Sequence, residues 1–327
     1  MTAPSDRSED LDDARIRAID RVLIGANGAG AAPEEATQLY SEAMAAGSGA
    51  AAAKLAVLAA VGVARPSNWS EALDRLTDAA ELGHRPAQKQ LAVLAERDDL
   101  ATRTGGAALW RNVRKEIDLG KLLAPPKATQ IHLAPGIGVI EGLATKAMCR
   151  WIISRGKGRL DRAMVRDLRT GQGVPDPIRT ALSTGFGLAD TDVVIVLTQM
   201  RLQRASGLMV HQQEAPFLLS YEPGQEYKPH FDFMDPSVAA FQSQLAIMGQ
   251  RVATCLTYLN EDFEGGETEF PRIGWRFRGK AGDALLFANV TSGKQPDPLT
   301  LHAGLPVTRG RKYLLSQWIR DRVQAIV

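Results

Sequence analysis

The spacing of apolar residues divides the chain into two halves that predict different secondary structure. Before about residue 100, alanine and other apolar residues recur at helical spacing. Beyond Gly136, helical patterns over residues 144–154 and 192–206 precede short strand-like segments separated by glycine and proline turns. The clearest strand-like segments are residues 217–221, 227–233, 253–259, 284–288 and 313–319. Helices before a run of antiparallel strands favour an α+β fold, with a small barrel or jelly roll supported by helices.

The first hundred residues contain an internal repeat that becomes visible at a shift of 36 positions. The segment LAVLA at residues 55–59 recurs at residues 91–95, and Gly47 recurs as Gly83. A glycine suits the C-cap of the first helix in each copy, and small residues let two helices approach closely. Each copy therefore predicts a helix hairpin, and Ser70 is the predicted N-cap where the pattern restarts after Asn68.

Composition narrows the possible classes of partner. The 327 residues exceed what one core usually supports, which predicts two units. A net charge of +2 without a basic tract argues against nucleic acid as a partner, and no apolar run is long enough to span a membrane. The polar N-terminus does not resemble a secretory signal, so a cytoplasmic location is expected. Cys149 and Cys255 are predicted to be buried packing residues.

A candidate metal site begins with a histidine and an aspartate two residues apart. Strand geometry projects His230 and Asp232 from the same face. A third ligand, for which His302 is the candidate, would complete two imidazoles and one carboxylate on one side of an octahedron. This arrangement marks Fe(II) oxygenases because it leaves positions open for other ligands. The remaining histidines have no such neighbour, and we interpret His211 as structural or as a support for a ligand.

Ten residues after His302 stands Lys312, a candidate partner for an anionic group. A buried cation there could pair with the distal carboxylate of a dicarboxylic co-substrate whose other end chelates the metal. Trp318 shares the strand face of Lys312 and is predicted to wall the pocket. Arg311 faces the other way and is the alternative anchor.

These features lie within a longer pattern that resembles the catalytic domain of prolyl 4-hydroxylases, in the 2-oxoglutarate and Fe(II)-dependent oxygenase superfamily. The resemblance extends from about Pro135 to Arg320. It is carried by Tyr221, Gly224 and Tyr227 before His230 and Asp232, by RVATCLTYLN at residues 251–260, by EGGETEFP at 264–271, by GKAGDALLF at 279–287, and by the spacing of His302, Lys312 and Trp318.

The resemblance implies a fold, a set of cofactors and roles for individual residues. It implies a double-stranded β-helix whose iron is bound by His230, Asp232 and His302, with 2-oxoglutarate anchored by Lys312. The resemblance also implies that Tyr221 and Tyr258 help Lys312 to anchor 2-oxoglutarate. Thr254 is a further candidate hydroxyl donor to this co-substrate. The implied reaction uses O2 and decarboxylates 2-oxoglutarate to hydroxylate an unactivated C–H bond, with ascorbate as a further expected cofactor. The glycine pair at residues 265–266 is explained by a tight turn.

The helical half resembles Sel1-like repeats, which are related to tetratricopeptide repeats. We predict a polar segment over residues 1–30, repeats over 31–100, a connecting helix and linker over 101–135, and the oxygenase domain over 136–327. Such repeats present a surface to proteins or peptides, which suits a peptide substrate; alternatively, they only stabilise the fold. Residues 234–250 are long enough to form a mobile substrate lid.

Three alternatives to prolyl hydroxylation of a peptide stay open from the sequence. The substrate could be a free amino acid or another small molecule. The chain could instead be an adaptor with a degenerate oxygenase fold, although the intact ligand set argues against it. A metal-only hydrolase ranks last, because it would need neither Lys312 nor the strand pattern.

Overall fold

The computed structural model describes residues 4–26, 30–100, 103, 105–162, 164–166, 173–175 and 178–324. Its contacts group the chain into two compact units. The helical unit contains Met1–Ala124 and Gly187–Met200, and the sheet unit contains Pro125–Phe186 and Arg201–Ala325. Within the described residues, no helix combines the length and the apolar composition that crossing a bilayer requires.

The described part of residues 4–124 is largely helical. Its helices are α1 Pro4–Ile24, α2 Pro33–Ala45, α3 Gly49–Val61, α4 Trp69–Glu81, α5 Arg85–Leu94, α6 Ala107–Glu116 and α7 Leu119–Leu122. Helix α1 lies in the predicted polar segment, and it buries Ile16, Ile19 and Leu23 along one face. Their spacing of three and four residues is that of an amphipathic helix. It is inconspicuous in the sequence because most other residues of this segment are polar.

Helix pairs occupy the two predicted repeats. The hairpins α2–α3 and α4–α5 turn at Gly47 and Gly83, whose φ angles are 97° and 87°, in the left-handed region that favours glycine. Fully buried alanines on these helices allow the close packing that the composition predicted. The helical character of this region is confirmed, whereas its assignment to Sel1-like repeats stays a prediction.

The predicted N-cap Ser70 is wrong. The cap of α4 is Asn68, which has extended backbone angles and a side chain that accepts a hydrogen bond from the backbone N–H of Glu71. Ser70 lies inside the first turn of the helix. Asparagine and serine are both strong capping residues, so the two positions could not be separated by residue type.

The sheet unit contains helices α8 Lys146–Gly156 and α10 Ala239–Met248, together with the second part of α9 Val193–Ser206. Its strands are β1 Ala128–His132, β2 Ile137–Ile140, β3 Asp161–Arg162, β4 Met164–Arg166, β5 Gly173–Pro175, β6 Leu182–Gly185, β7 Phe217–Tyr221, β8 Tyr227–His230, β9 Arg251–Tyr258, β10 Phe263–Gly265, β11 Thr268–Phe270, β12 Trp275–Phe277, β13 Ala284–Ala288, β14 His302–Gly304, β15 Val307–Gly310 and β16 Lys312–Arg320.

Among the described residues, these strands form antiparallel sheets of very different size. The major sheet has eight strands in the order β1-β2-β13-β9-β16-β7-β6-β3, and the minor sheet has four in the order β12-β11-β14-β8. Strands β10 and β15 pair separately, as do β4 and β5. Strand β1 lies where the sequence predicted a linker. The mixed α and β composition with antiparallel sheets agrees with the predicted fold class.

The apolar core lies on both faces of the major sheet. On one face, Leu256 of β9 and Phe287 of β13 pack with Phe270 of β11, so this core joins the major and minor sheets. On the other face, Cys255 and Ile319 pack with Leu202 of α9. Central strands β9 and β16 are therefore buried along almost their whole length, because both faces of the major sheet are covered.

Candidate active site

The three predicted ligands lie together at the pairing of β8 with β14. His230 and His302 are direct partners in the register of these strands. Asp232 lies two residues beyond the end of β8 rather than within the strand, and its side chain is buried. The Nε2 atoms of His230 and His302 are 3.7 Å and 3.4 Å from the two Asp232 carboxylate oxygens.

The hydrogen bonds of the two histidines leave the same ring nitrogen of each available to a metal. The Nδ1 atoms of His230 and His302 lie 2.8 Å from the carbonyl oxygen of Lys228 and 3.0 Å from that of Thr300. A carbonyl oxygen can only accept, so Nδ1 carries the proton and Nε2 keeps its lone pair. Both Nε2 atoms face Asp232, as binding of one ion requires.

The protonation states of the site also suit a divalent cation. Burial, followed by the nearby His302, lowers the pKa of His230 to about 3, so this imidazole is neutral at physiological pH. Burial acts to raise the pKa of Asp232, but the adjacent histidines outweigh it and the pKa lies below its usual value. One potential ligand atom from each of the three residues lies within 4.8 Å of the others. Two imidazoles and one carboxylate match the donor set of Fe(II) oxygenases.

Thr254 lies behind the site. Its hydroxyl donates a 2.7 Å hydrogen bond to Oδ2 of Asp232, and both side chains are buried. Thr254 was predicted to bind the co-substrate, and that role stays a prediction; in the structure its proton is engaged by the aspartate. Spacing along one strand does not reveal such a partner, because the two residues lie on elements 22 positions apart.

Lys312 lies in the same cavity as the metal ligands and is 2% exposed. Its ammonium group donates a 2.6 Å hydrogen bond to the carbonyl oxygen of Gly266 and lies 5.3 Å and 5.2 Å from the ring centres of Tyr221 and Tyr258. Burial lowers the pKa of Lys312 to about 7. A negatively charged ligand at this position would restore the favourable environment that the lysine lacks.

Gly266 contacts Lys312 in addition to forming the predicted tight turn. Its φ of 66° favours glycine, and a Cβ atom there would lie 3.2 Å from Cδ of Lys312. The residue thus supplies a carbonyl acceptor for Lys312 while leaving room for its side chain.

The cavity joins the metal ligands to the predicted anchor. One face of β16 contributes Lys312, Leu314, Ser316 and Trp318, as strand alternation predicted. The remaining lining residues are Arg179, Leu219, Tyr221, Tyr227, His230, Asp232, Leu256, Thr268, His302 and Gly304. A ligand here could chelate a metal at one end and place an anionic group at the other.

The other predicted site residues have different surroundings. The hydroxyl of Tyr258 lies 2.9 Å from Oγ1 of Thr268 and 3.1 Å from the carbonyl oxygen of Phe277. Arg311, the alternative anchor, pairs with Glu222 and is not among the residues that line the cavity. His211 lies in a short 3-10 turn, and its backbone carbonyl accepts a hydrogen bond from Gln324.

Arg179 lines the cavity and had no place in the sequence analysis. Its guanidinium lies 5.5 Å from the ring centre of Tyr227, which in turn stacks on His230 at 3.5 Å between ring centres. The backbone of Arg179 pairs with that of Tyr227 in an isolated β-bridge, so Arg179 does not belong to a strand. A single arginine outside any periodic segment carries no signal that could have identified it.

Comparison with known proteins places this geometry in a family. Residues 216–320 match the model of the 2OG-Fe(II) oxygenase superfamily. Prolyl 4-hydroxylase 2 of Arabidopsis thaliana is 32% identical over 219 residues, which cover 61% of this chain and 71% of that protein. Probable prolyl 4-hydroxylase 6 of the same plant is 31% identical over 218 residues, covering 61% and 73%.

A structural comparison finds a viral collagen prolyl hydroxylase from Paramecium Bursaria Chlorella virus-1. Its 26% identity and TM-score of 0.43 apply to 57% of this chain and 96% of that one. From the matched superfamily model and the similarity to the plant enzymes, the chain belongs to the prolyl 4-hydroxylase family of 2OG-Fe(II) oxygenases.

Proposed function

We propose that this protein is a 2-oxoglutarate- and Fe(II)-dependent dioxygenase that hydroxylates proline in a peptide or protein. The observation that carries the proposal is one cavity lined both by the His230, Asp232 and His302 ligand set and by buried Lys312. Membership in the prolyl 4-hydroxylase family supports the reaction type and the target residue. We further propose that the major and minor sheets form the jelly roll typical of this superfamily.

His230, Asp232 and His302 would hold Fe(II), and Lys312 would bind the distal carboxylate of 2-oxoglutarate. When bound, the metal and 2-oxoglutarate supply the oxidising chemistry that inserts one atom of O2 into a C–H bond and leaves succinate and carbon dioxide. The backbone carbonyls of Lys228 and Thr300 keep the imidazoles oriented. A role for ascorbate as reductant is part of the proposal.

Apolar side chains form part of the wall of the cavity. Leu219, Leu256 and Leu314 line it together with Trp318. In such surroundings the attraction between Lys312 and a carboxylate is stronger than it would be in water. Because Lys312 is buried, a carboxylate that reaches it competes with little bulk water.

A peptide is the favoured substrate because the relatives are named prolyl 4-hydroxylases. Docking of the peptide on the helical unit, a cytoplasmic location and a lid over residues 234–250 are further parts of the proposal. Helix α10 occupies most of that segment, and Phe241 and Ile247 on it are 37% and 80% exposed.

The test is mass spectrometry after incubation with Fe(II), 2-oxoglutarate and either a proline-containing peptide library or free amino acids. We expect a gain of one oxygen on peptidyl proline, dependent on both cofactors and absent in His302→Ala. Hydroxylation restricted to free amino acids would refute the peptide substrate. Failure to bind iron or to consume 2-oxoglutarate with any substrate would instead support the adaptor alternative.

A further inference from the structure

A chain of buried hydrogen bonds leads away from the metal ligands to a residue with no assigned role. The side-chain amide of Asn289 donates a 3.0 Å hydrogen bond to Oγ1 of Thr254. Thr254 in turn donates a 2.7 Å hydrogen bond to Oδ2 of Asp232. Asn289 and Thr254 are 0% exposed, and Asp232 is 6% exposed. Solvent therefore cannot replace either bond at low cost.

The direction of these bonds is fixed by chemistry. The ionised carboxylate of Asp232 can only accept, so the single proton of the Thr254 hydroxyl points at it. The remaining lone pairs of that hydroxyl then need a donor, which the NH2 group of Asn289 provides. With the amide oxygen turned toward Thr254 instead, two acceptors would compete for one proton. Asn289 thus holds the Thr254 hydroxyl in the orientation in which its proton bonds to Asp232 and fixes that carboxylate.

The backbone of Asn289 also supports the segment that leads to His302. Asn289 follows directly after β13, and its N–H donates to the carbonyl oxygen of Val252 on β9 at 2.8 Å. Its carbonyl oxygen accepts from the N–H of Asp297, which caps the 3-10 turn Pro298–Thr300. The carbonyl oxygen of Thr300 orients His302, as described above. Asn289 is therefore linked to two of the three metal ligands.

We propose that Asn289 is a positioning residue for the metal site, acting on Asp232 through the hydroxyl of Thr254. This inference rests on the proposed function, because it assumes that the triad binds Fe(II). Partners behind metal ligands typically contribute a factor of about 10–100 to metal affinity. Losing the Asn289 amide should weaken metal binding because the Thr254 hydroxyl can then rotate away from the carboxylate. The binding of 2-oxoglutarate through Lys312 is not part of this effect.

The experiment is a mutant cycle measured by anaerobic Fe(II) titration, repeated with Co(II), whose visible spectrum reports ligand geometry without turnover. We expect Asn289→Leu and Thr254→Val each to weaken Fe(II) binding by roughly 10- to 100-fold and to alter the Co(II) spectrum. The double variant should bind no more weakly than Thr254→Val, because Asn289 acts through that hydroxyl. Thr254→Ser, which keeps the hydroxyl, should restore affinity.

A matched control lies on the same strand. Thr257→Val also removes one hydroxyl at a buried position of β9, but strand alternation places Thr257 on the opposite face from Thr254. It should leave metal affinity and the Co(II) spectrum unchanged. If Asn289→Leu does not fold, Asn289→Ala and the comparison of Thr254→Val with Thr254→Ser carry the test.

Three results would overturn the inference. These are wild-type metal affinity in the Asn289 variants, independent and additive losses in the double variant, and an equal loss in Thr257→Val. Failure of the proposed function looks different, because the unmodified protein would then not bind Fe(II) at the triad at all.

Discussion

The two ends of the active-site cavity are built in different ways. At the metal end, each ligand is held by a further partner: His230 by the carbonyl oxygen of Lys228, His302 by that of Thr300, and Asp232 by Thr254. At the other end, the buried ammonium group of Lys312 donates a hydrogen bond to the carbonyl oxygen of Gly266. The metal end is thus preorganised in its binding form, whereas the lysine depends on an incoming anion to stabilise its charge.

The largest effect is expected from removing the carboxylate at the preorganised end. Asp232→Ala should reduce Fe(II)-dependent succinate formation by more than roughly 100-fold, because loss of a supporting residue alone costs about 10–100-fold. Asp235→Ala is the matched control, since this exposed carboxylate is bonded to Ser237. A coupled succinate assay and Fe(II) titration measure the change. Full iron-dependent turnover in Asp232→Ala would disprove the site.

The next effect tests whether the lysine end binds the co-substrate. Lys312→Met should weaken 2-oxoglutarate binding by roughly 10- to 100-fold, because a charge-assisted hydrogen bond contributes about 1.5–3 kcal/mol. Fe(II) affinity should not change. Exposed Lys280 provides the control, as Lys280→Met removes the same charge outside the cavity. Calorimetric titration of each ligand separates the outcomes, and equal weakening of both by Lys312→Met would contradict independent ends.

The pH dependence of co-substrate binding should follow Lys312. With a pKa of about 7 in the free protein, Lys312 is protonated below that pH and loses its proton above it. Because the dicarboxylate binds the protonated form, affinity should be steady below pH 7 and then fall by up to about tenfold per pH unit. His230, with a pKa near 3, does not titrate in this range. Lys312→Arg should flatten the profile between pH 7 and 9; an unchanged profile would assign it to another group.

The smallest effect on co-substrate binding is expected from Tyr258, whose ring lies near Lys312. Tyr258→Phe removes the hydroxyl that contacts Thr268 and Phe277, so the free energy of unfolding should fall by about 1–3 kcal/mol. The dissociation constant for 2-oxoglutarate should change less than in Lys312→Met. Urea denaturation and calorimetry measure the two quantities. A loss of 2-oxoglutarate affinity as large as that of Lys312→Met would place this hydroxyl on the co-substrate, as the sequence pattern implied.

Short runs rich in apolar residues and bounded by turns predicted the buried strands of the major sheet. Strands β7 and β13 have the predicted bounds, and β9 and β16 differ by only one or two residues at each end. Strand β8 is shorter than predicted, because the chain leaves the sheet after His230. Helix α10 was not predicted as a helix, since its apolar residues form no regular stripe and none of them is buried.

The chemical groups were predictable where motif and spacing coincide, and less so where three-dimensional contact decides. The family pattern proposed His230, Asp232, His302 and Lys312, and the structure brings all four to one cavity. The roles of Asn289 and Gly266 depend on hydrogen bonds to residues 35 and 46 positions away. Neither an asparagine nor a glycine in a turn carries a sequence signal that would reveal such a partner.

Helix α9 sets a limit on how this chain can be shortened. Its residues up to Met200 belong to the helical unit, where Val193, Val194, Ile195, Val196 and Leu197 are fully buried and Gln90 accepts a hydrogen bond from the N–H of Val193. A protein that begins at Pro125 would keep this apolar stretch and lose the rest of the unit to which it belongs. Such a fragment should aggregate when expressed, so an isolated oxygenase unit would first need polar substitutions at these positions.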